Sequence, residues 1–275
     1  MAKFVQTIAD FWRCGKCRMR TCFAAIITVC NLANAAYGAS PPGRNDEALG
    51  GRNRYERCLE LTRRNAEEAL NKAAVWEASG GDGPANHCAA LALVALRRYR
   101  EAAIRLDQLG HASIGSAQQR ADVFGQAGNA WLLARRGADA TASFSSALAL
   151  SPRDPDLLAD RARAAALLGD WKAADSDLSA ALKIDDNRAD LLVLRASARR
   201  ALRRQADARA DLELALRILP NYPEALVERG ALKLESGDAT GAWADWQLAV
   251  SRASGTAAAA TAQQRLDALL HAKKK

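Results

Sequence analysis

Histidine is scarce in this chain: His87, His111 and His271 are the whole supply, and they lie far apart. No serine or cysteine nucleophile stands in a recognisable motif with any of them, so nucleophilic catalysis has no candidate residues. Convincing strands are missing as well. Without a strand there is no strand–glycine-loop–helix unit to cradle a phosphate or a dinucleotide. The longest apolar run covers about a dozen residues, short of the roughly 20 that span a bilayer. These absences argue against an enzyme. No cofactor and no metal site are expected.

A strong charge of one sign is lacking too, once the N-terminus is set apart. The formal net charge is +8, but Lys3, Arg13, Lys16, Arg18 and Arg20, opposed by Asp10, account for half of it. These residues precede the apolar run Cys22–Leu32, which is followed by small residues around Ala35 and Gly38. A positive region, an apolar region and a small-residue cleavage site, in that order, form a secretory signal peptide over 1–39, cut after Ala35 or Gly38. The expected location is therefore periplasmic or secreted; the alternative is a chain anchored by an uncleaved N-terminal segment. Val29 ahead of Cys30 is not the small residue a lipoprotein site would have. Met19 heads a compact signal of its own and is a second candidate start. Near-neutral charge in the remainder does not suit nucleic acid, which calls for basic residues gathered on one face.

A 34-residue period runs through 121–256. Pro152, Asp186 and Pro220 obey it, as do Gly128, Ala162, Ala196 and Gly230. So do Ala140, Ala174, Ala208 and Ala242, and again Ala147, Ala181, Ala215 and Ala249. Phe144, Leu178, Leu212 and Trp246 fill one large apolar slot at the same interval. Self-similarity at this period is the signature of stacked helical hairpins. The residues that carry it resemble the tetratricopeptide repeat family, whose repeats are two antiparallel helices brought close by a small residue. The resemblance implies an all-α fold, a right-handed α-solenoid of about six antiparallel hairpins plus a capping helix. The slot that is aromatic in the family holds Trp131 once, then Ala165, Arg199 and Lys233, and Asp186 stands where proline usually closes the second helix.

Four repeats follow cleanly: 121–154, 155–188, 189–222 and 223–256. Two degenerate hairpins occupy 40–120, with helical segments at Tyr55–Thr62 and Asn65–Ser79, a Gly80–Pro84 break, and a linker at Gly110–Ser116. Residues 257–275 form an amphipathic cap with apolar Leu266, Leu269 and Leu270 and a basic tail. Cys14 and Cys17 leave with the signal, whereas Cys58 and Cys88 remain, an even count in an oxidising compartment. In hairpins stacked as the family stacks them, these two lie on neighbouring first helices. A disulfide, two buried thiols, or an incomplete zinc site with His87 are the alternatives for the pair.

Two charge ladders recur with the period. Asp122, Asp156, Asp190 and Glu224 fall at the starts of first helices, where a carboxylate offsets the helix dipole. Arg161, Arg195 and Arg229 are matched by Asp177, Asp211 and Asp245 and read as ion pairs inside each hairpin. Irregular positions are the better binding candidates, because the family's first helices line a groove. By phase these include Asn129, Arg163, Ser197, Arg200 and Glu235. Arg163 and Arg200 would let the groove receive an acidic or carboxylate-ended peptide. The functional expectation is an exported scaffold that binds a peptide or protein of an envelope assembly. The alternatives are a structural subunit of a larger envelope complex with no free ligand, or an enzyme accessory.

Overall fold

A computed structural model describes residues 45–112 and 115–273. Among the described residues every regular element is an α-helix. In chain order these are α1 (Asn45–Arg64), α2 (Ala66–Ala78), α3 (Asp82–Ala95), α4 (Tyr99–His111), α5 (Ala117–Leu133), α6 (Gly137–Leu150) and α7 (Pro155–Leu167). There follow α8 (Trp171–Ile184), α9 (Ala189–Ala201), α10 (Gln205–Ile218), α11 (Pro223–Glu235), α12 (Ala239–Arg252) and α13 (Ala257–Lys273). They form two compact units, α1–α7 and α8–α13. Within each unit consecutive helices pack on one another, and first helices also touch the next first helix, as α5 touches α7 and α11 touches α13. Each hairpin thus buries its apolar face against its neighbours, the logic of a helical repeat. The signal peptide, its cleavage site, Cys14–Cys17 and Met19 lie outside the described residues. No described helix is long and apolar enough to cross a membrane.

Two facing slots set the approach of the helices within a hairpin. Gly128 lies under the Phe144 ring and Gly230 under the Trp246 indole; a Cβ on Gly230 would stand 2.4 Å from the indole Nε1. In the hairpin of α9 and α10 the same slots hold Ala196 on the first helix and Leu212 on the second. A ring therefore faces glycine and a leucine faces alanine, so the summed volume across the seam is nearly conserved. Trp246 also donates its indole N–H to the Val227 carbonyl at 3.1 Å, which fixes the ring in place.

The connections from first to second helix are short and come in two chemistries. Gly169–Asp170 and Gly237–Asp238 place glycine in the left-handed region (φ +79° and +87°), and each aspartate caps the next helix by accepting from Ala173 N or Gly241 N. Arg97–Arg98, Arg135–Arg136 and Arg203–Arg204 make the same turn with arginine at φ near 60°. There the second arginine pairs with an acidic residue three positions on, Glu101, Asp139 or Asp207. Arg98, Arg136, Arg204 and Asp238 each donate a backbone bond of 2.9 Å to the carbonyl five residues back, the closure of a Schellman end.

The structure departs from the sequence reading in four places. Ser116 caps α5 in a full capping box with Gln119, so that helix starts early and Asp122 falls in its second turn rather than at its start. Asp156, Asp190 and Glu224 do lie in first turns. Gly110 is not linker: it is the buried end of α4, with the Phe124 ring 2.7 Å from where a Cβ would be. Asp82–Gly83–Pro84 already belongs to α3, because proline is tolerated in a first turn where N–H groups lack partners. In α13, Ala258, Ala262 and Leu266 seat on Trp246 and Ala249, while Leu270 is exposed.

The paired slots yield a test by sign reversal. In the Trp246 background, Gly230→Ala is expected to destabilise by about 1–3 kcal/mol through overpacking. With Trp246→Leu already in place the same change should stabilise by about 0.5–1 kcal/mol, as alanine does in an unhindered helix. Urea unfolding of the four proteins reads both values; stabilisation in both backgrounds would refute the volume match.

Candidate functional site

In the unit formed by α1–α7, Cys58 of α1 and Cys88 of α3 are joined, with Cα atoms 6.2 Å apart. They pack with Ala73 and Ala89. Next to them His87 is buried between Tyr55 and Gln126. The Gln126 carbonyl oxygen lies 2.7 Å from His87 Nε2, so Nε2 carries the hydrogen, and Nδ1 accepts from the Tyr55 hydroxyl at 2.6 Å. Both ring nitrogens are satisfied in the neutral form. Burial lowers the His87 pKa below 6.5, and the bond to Gln126 opposes that only in part. No group of three or more His, Cys, Asp and Glu able to hold a metal forms among the described residues.

Asn129 and Arg163, two of the expected groove residues, meet on one carboxylate. Asn129 of α5 is exposed and donates to Asp160 of α7 at 3.2 Å; Arg163 pairs with the other oxygen of Asp160. A polar bridge therefore crosses between consecutive first helices.

Within the α8–α13 unit the expectation of an open basic position fails. Arg200 is only 4% exposed. It donates from Nε and Nη2 to Glu228 at 3.2 and 3.1 Å and from Nη1 to Glu235 at 2.5 Å. Burial pulls its pKa down, but the charges of Glu228 and Glu235 prevail and raise it. Ser197 is buried as well. Arg200 and Glu235 thus tie α9 to α11 and are not free to capture a ligand. A residue the sequence reading passed over lies beside them: Arg265 of α13, 34 positions after Ala231. Its guanidinium carbon lies 5.9 Å from the Trp246 ring centroid, and its Nε is buried without a hydrogen-bond partner. Burial lowers its pKa; Glu228 opposes that shift and Arg200 adds to it.

Two rungs of the charge ladder, both in the α8–α13 unit, are paired as their spacing implied. Arg195 grips Asp211 with two bonds of 3.0 and 2.7 Å, and Arg229 grips Asp245 at 2.8 and 2.7 Å. Where Ala127 replaces arginine, Ser143 replaces aspartate. The vacated aromatic slot has an explanation the period alone did not offer. Trp131 reaches back 24 residues to Asp107 at 2.6 Å, and Arg199 reaches back the same distance to Asp175 at 3.0 Å. One position thus serves as an N–H donor to the preceding hairpin, whether indole or guanidinium supplies it.

Two predictions follow from these contacts. Arg200→Ala leaves Glu228, 2% exposed, as a buried carboxylate without its main partner, and should cost about 3–5 kcal/mol. Arg163→Ala, in a partly buried pair with 23% and 15% of its side chains exposed against 3% and 3% for Arg200 and Glu228, should cost less, about 1 kcal/mol; equal losses in chemical denaturation would reject the distinction. For His87, the folded state holds fewer protons than the unfolded state just below pH 6.5, so stability is complete above that pH and falls as pH drops toward the lowered folded value. The stability difference between wild type and His87→Asn should therefore shrink between about pH 7.5 and 5; a pH-independent difference would contradict it.

No family model and no curated protein matches the sequence. Solved structures do resemble it. A tetratricopeptide repeat protein from Parabacteroides merdae aligns with a TM-score of 0.58 at 14% identity, over 81% of this chain and 85% of that one. TTC0263 from Thermus thermophilus, also a tetratricopeptide repeat protein, gives 0.53 at 20% identity, over 66% and 95%. YrrB, described as a tetratricopeptide repeat protein with an unusual peptide-binding site, gives 0.53 at 17% identity, over 75% and 98%. The 34-residue period, the glycine-to-ring and alanine-to-leucine seams and these likenesses agree: the chain has the tetratricopeptide repeat fold.

Proposed function

We propose that the chain is an exported scaffold that binds a peptide or protein partner of an envelope assembly through the faces of its first helices. The observation that carries this reading is the bridge of Asn129, Asp160 and Arg163. The regular slots are used up by hairpin packing and by ion pairs. This bridge joins consecutive first helices at non-repeating positions and leaves Asn129 exposed. Polar groups held in place by one another present donors and acceptors at low ordering cost, which favours recognition of an extended polar segment. YrrB, of the same fold, carries a peptide-binding site, which supports the same use here. Export is inferred from the order of charge and apolarity in 1–39, and a covalent link between Cys58 and Cys88 suits an oxidising compartment.

Arg200 does not report on this activity, since its loss would damage the fold. The test is a photo-crosslinking residue at Asn129, compared with one at exposed Ala149 on the second helix α6. Crosslinks to one defined polypeptide from position 129, lost on Arg163→Glu with the unfolding temperature preserved, are expected. Crosslinks from position 149 alone would favour instead a structural subunit docked by its second helices.

A further inference from the structure

Three junctions between a first and a second helix in the α1–α7 unit carry the same dipeptide, at the helix end in the first and in the turn itself in the other two. Arg63–Arg64 ends α1, Arg97–Arg98 joins α3 to α4, and Arg135–Arg136 joins α5 to α6; all six side chains are exposed. The intervening helices pack consecutively, so the three share one edge of the unit.

In each pair one guanidinium is already used. Arg64 binds Glu60 at 2.5 Å, Arg98 binds Glu101 at 2.6 Å, and Arg136 binds Asp139 at 2.9 Å while lying over Trp131. Arg63, Arg97 and Arg135 have no ion-pair partner among the described residues. Glu68 is taken by Lys72, which leaves Glu67 as a local carboxylate and exposed Arg100 as a further cation. Arg97 and Arg135 also hold left-handed backbone (φ 60° and 59°), a conformation that strains any residue with a Cβ. The fold does not require arginine there: in the α8–α13 unit Gly169 and Gly237 make the same turn, and Arg203 makes it a third time. Three exposed cations without ion-pair partners thus recur along one edge, two of them at a strained backbone.

We propose that this edge docks reversibly on an anionic membrane surface, with Arg63, Arg97 and Arg135 lying against phospholipid headgroups. The charges form a row, and Tyr99, the aromatic beside them, is half-buried as the first residue of α4. A row without exposed rings suits headgroups better than the stacked bases of single-stranded nucleic acid. Each arginine near such a surface contributes a factor of about five in partitioning, so the three together contribute on the order of a hundredfold. That is enough to orient the chain on a membrane and, being surface electrostatics, is lost at high salt.

The test compares the full chain with the triple variant Arg63→Gln, Arg97→Gly, Arg135→Gly. Partitioning onto mixed phosphatidylglycerol–phosphatidylcholine vesicles is measured relative to pure phosphatidylcholine; residues 1–39, common to both proteins, drop out of the ratio. The glycines remove strain, so the variant should unfold at the same or a higher temperature while its anionic-lipid partitioning falls on the order of a hundredfold. Amide exchange at 96–98 and 134–136 should slow in the wild type when anionic vesicles are added. Equal partitioning with no slowing at these turns would overturn the proposal. So would an arginine-dependent affinity for duplex DNA without one for vesicles.

Discussion

The separation of the two helices in a hairpin is the constraint on which the other contacts depend. It is set where Gly128 meets Phe144, Ala196 faces Leu212, and Gly230 meets Trp246. Interiors are close-packed, so an added methyl group at such a seam must push the helices apart or displace the ring. A wider gap would lengthen the turns that now close with a 2.9 Å bond to the fifth residue back. It would also draw Arg195 away from Asp211 and Arg229 away from Asp245, whose bonds run between the two helices of a hairpin. Local volume thus decides whether the charge ladder forms at all.

The ladder in turn carries what aromatic residues would otherwise supply. Asp211 accepts from both Arg195 and Arg199, and Asp245 is shared by Arg229 and Lys233. Two cations on one mostly buried carboxylate offset its desolvation, which a single pair would do poorly. Such pairs contribute little net stability compared with apolar packing of equal volume. Their contribution is directional: a carboxylate that must meet an arginine 16 residues earlier and another 12 residues earlier fixes the register of the hairpin.

Much of the fold was legible because it is periodic. The facing slots, the Arg–Asp pairing and the small residues at the seams recur every 34 residues, and each expresses a contact repeated between equivalent helices. The binding candidates were legible only as positions. That Arg200 is buried depends on Glu228 and Glu235, 28 and 35 residues away; the Glu235 slot is apolar in the other three repeats, and the Glu228 slot is acidic in only one of them, at Asp160. Periodicity reports what repeats share, so a partner present once leaves no trace in it. Asp160 and Arg265 were missed for the same reason. The early start of α5 had a signal, Ser116 and Gln119 spaced as a capping box, but it sat in a stretch whose glycines suggested linker.

Function must then reside where neither packing nor register dictates the side chain. Two classes of position meet that condition. The first is the non-repeating polar face of the first helices, where Asn129, Asp160 and Arg163 are joined across neighbouring repeats. The second is the set of turns, where glycine or arginine serves the backbone equally well in outline but not in energy. Glycine enters the left-handed region without strain, and arginine does so only at a cost. Gly–Asp and Arg–Arg turns occur side by side on one scaffold, so the costlier choice cannot be ascribed to the fold. Both classes are set by side chains facing outward, which is why a strictly regular architecture still leaves room for specific recognition.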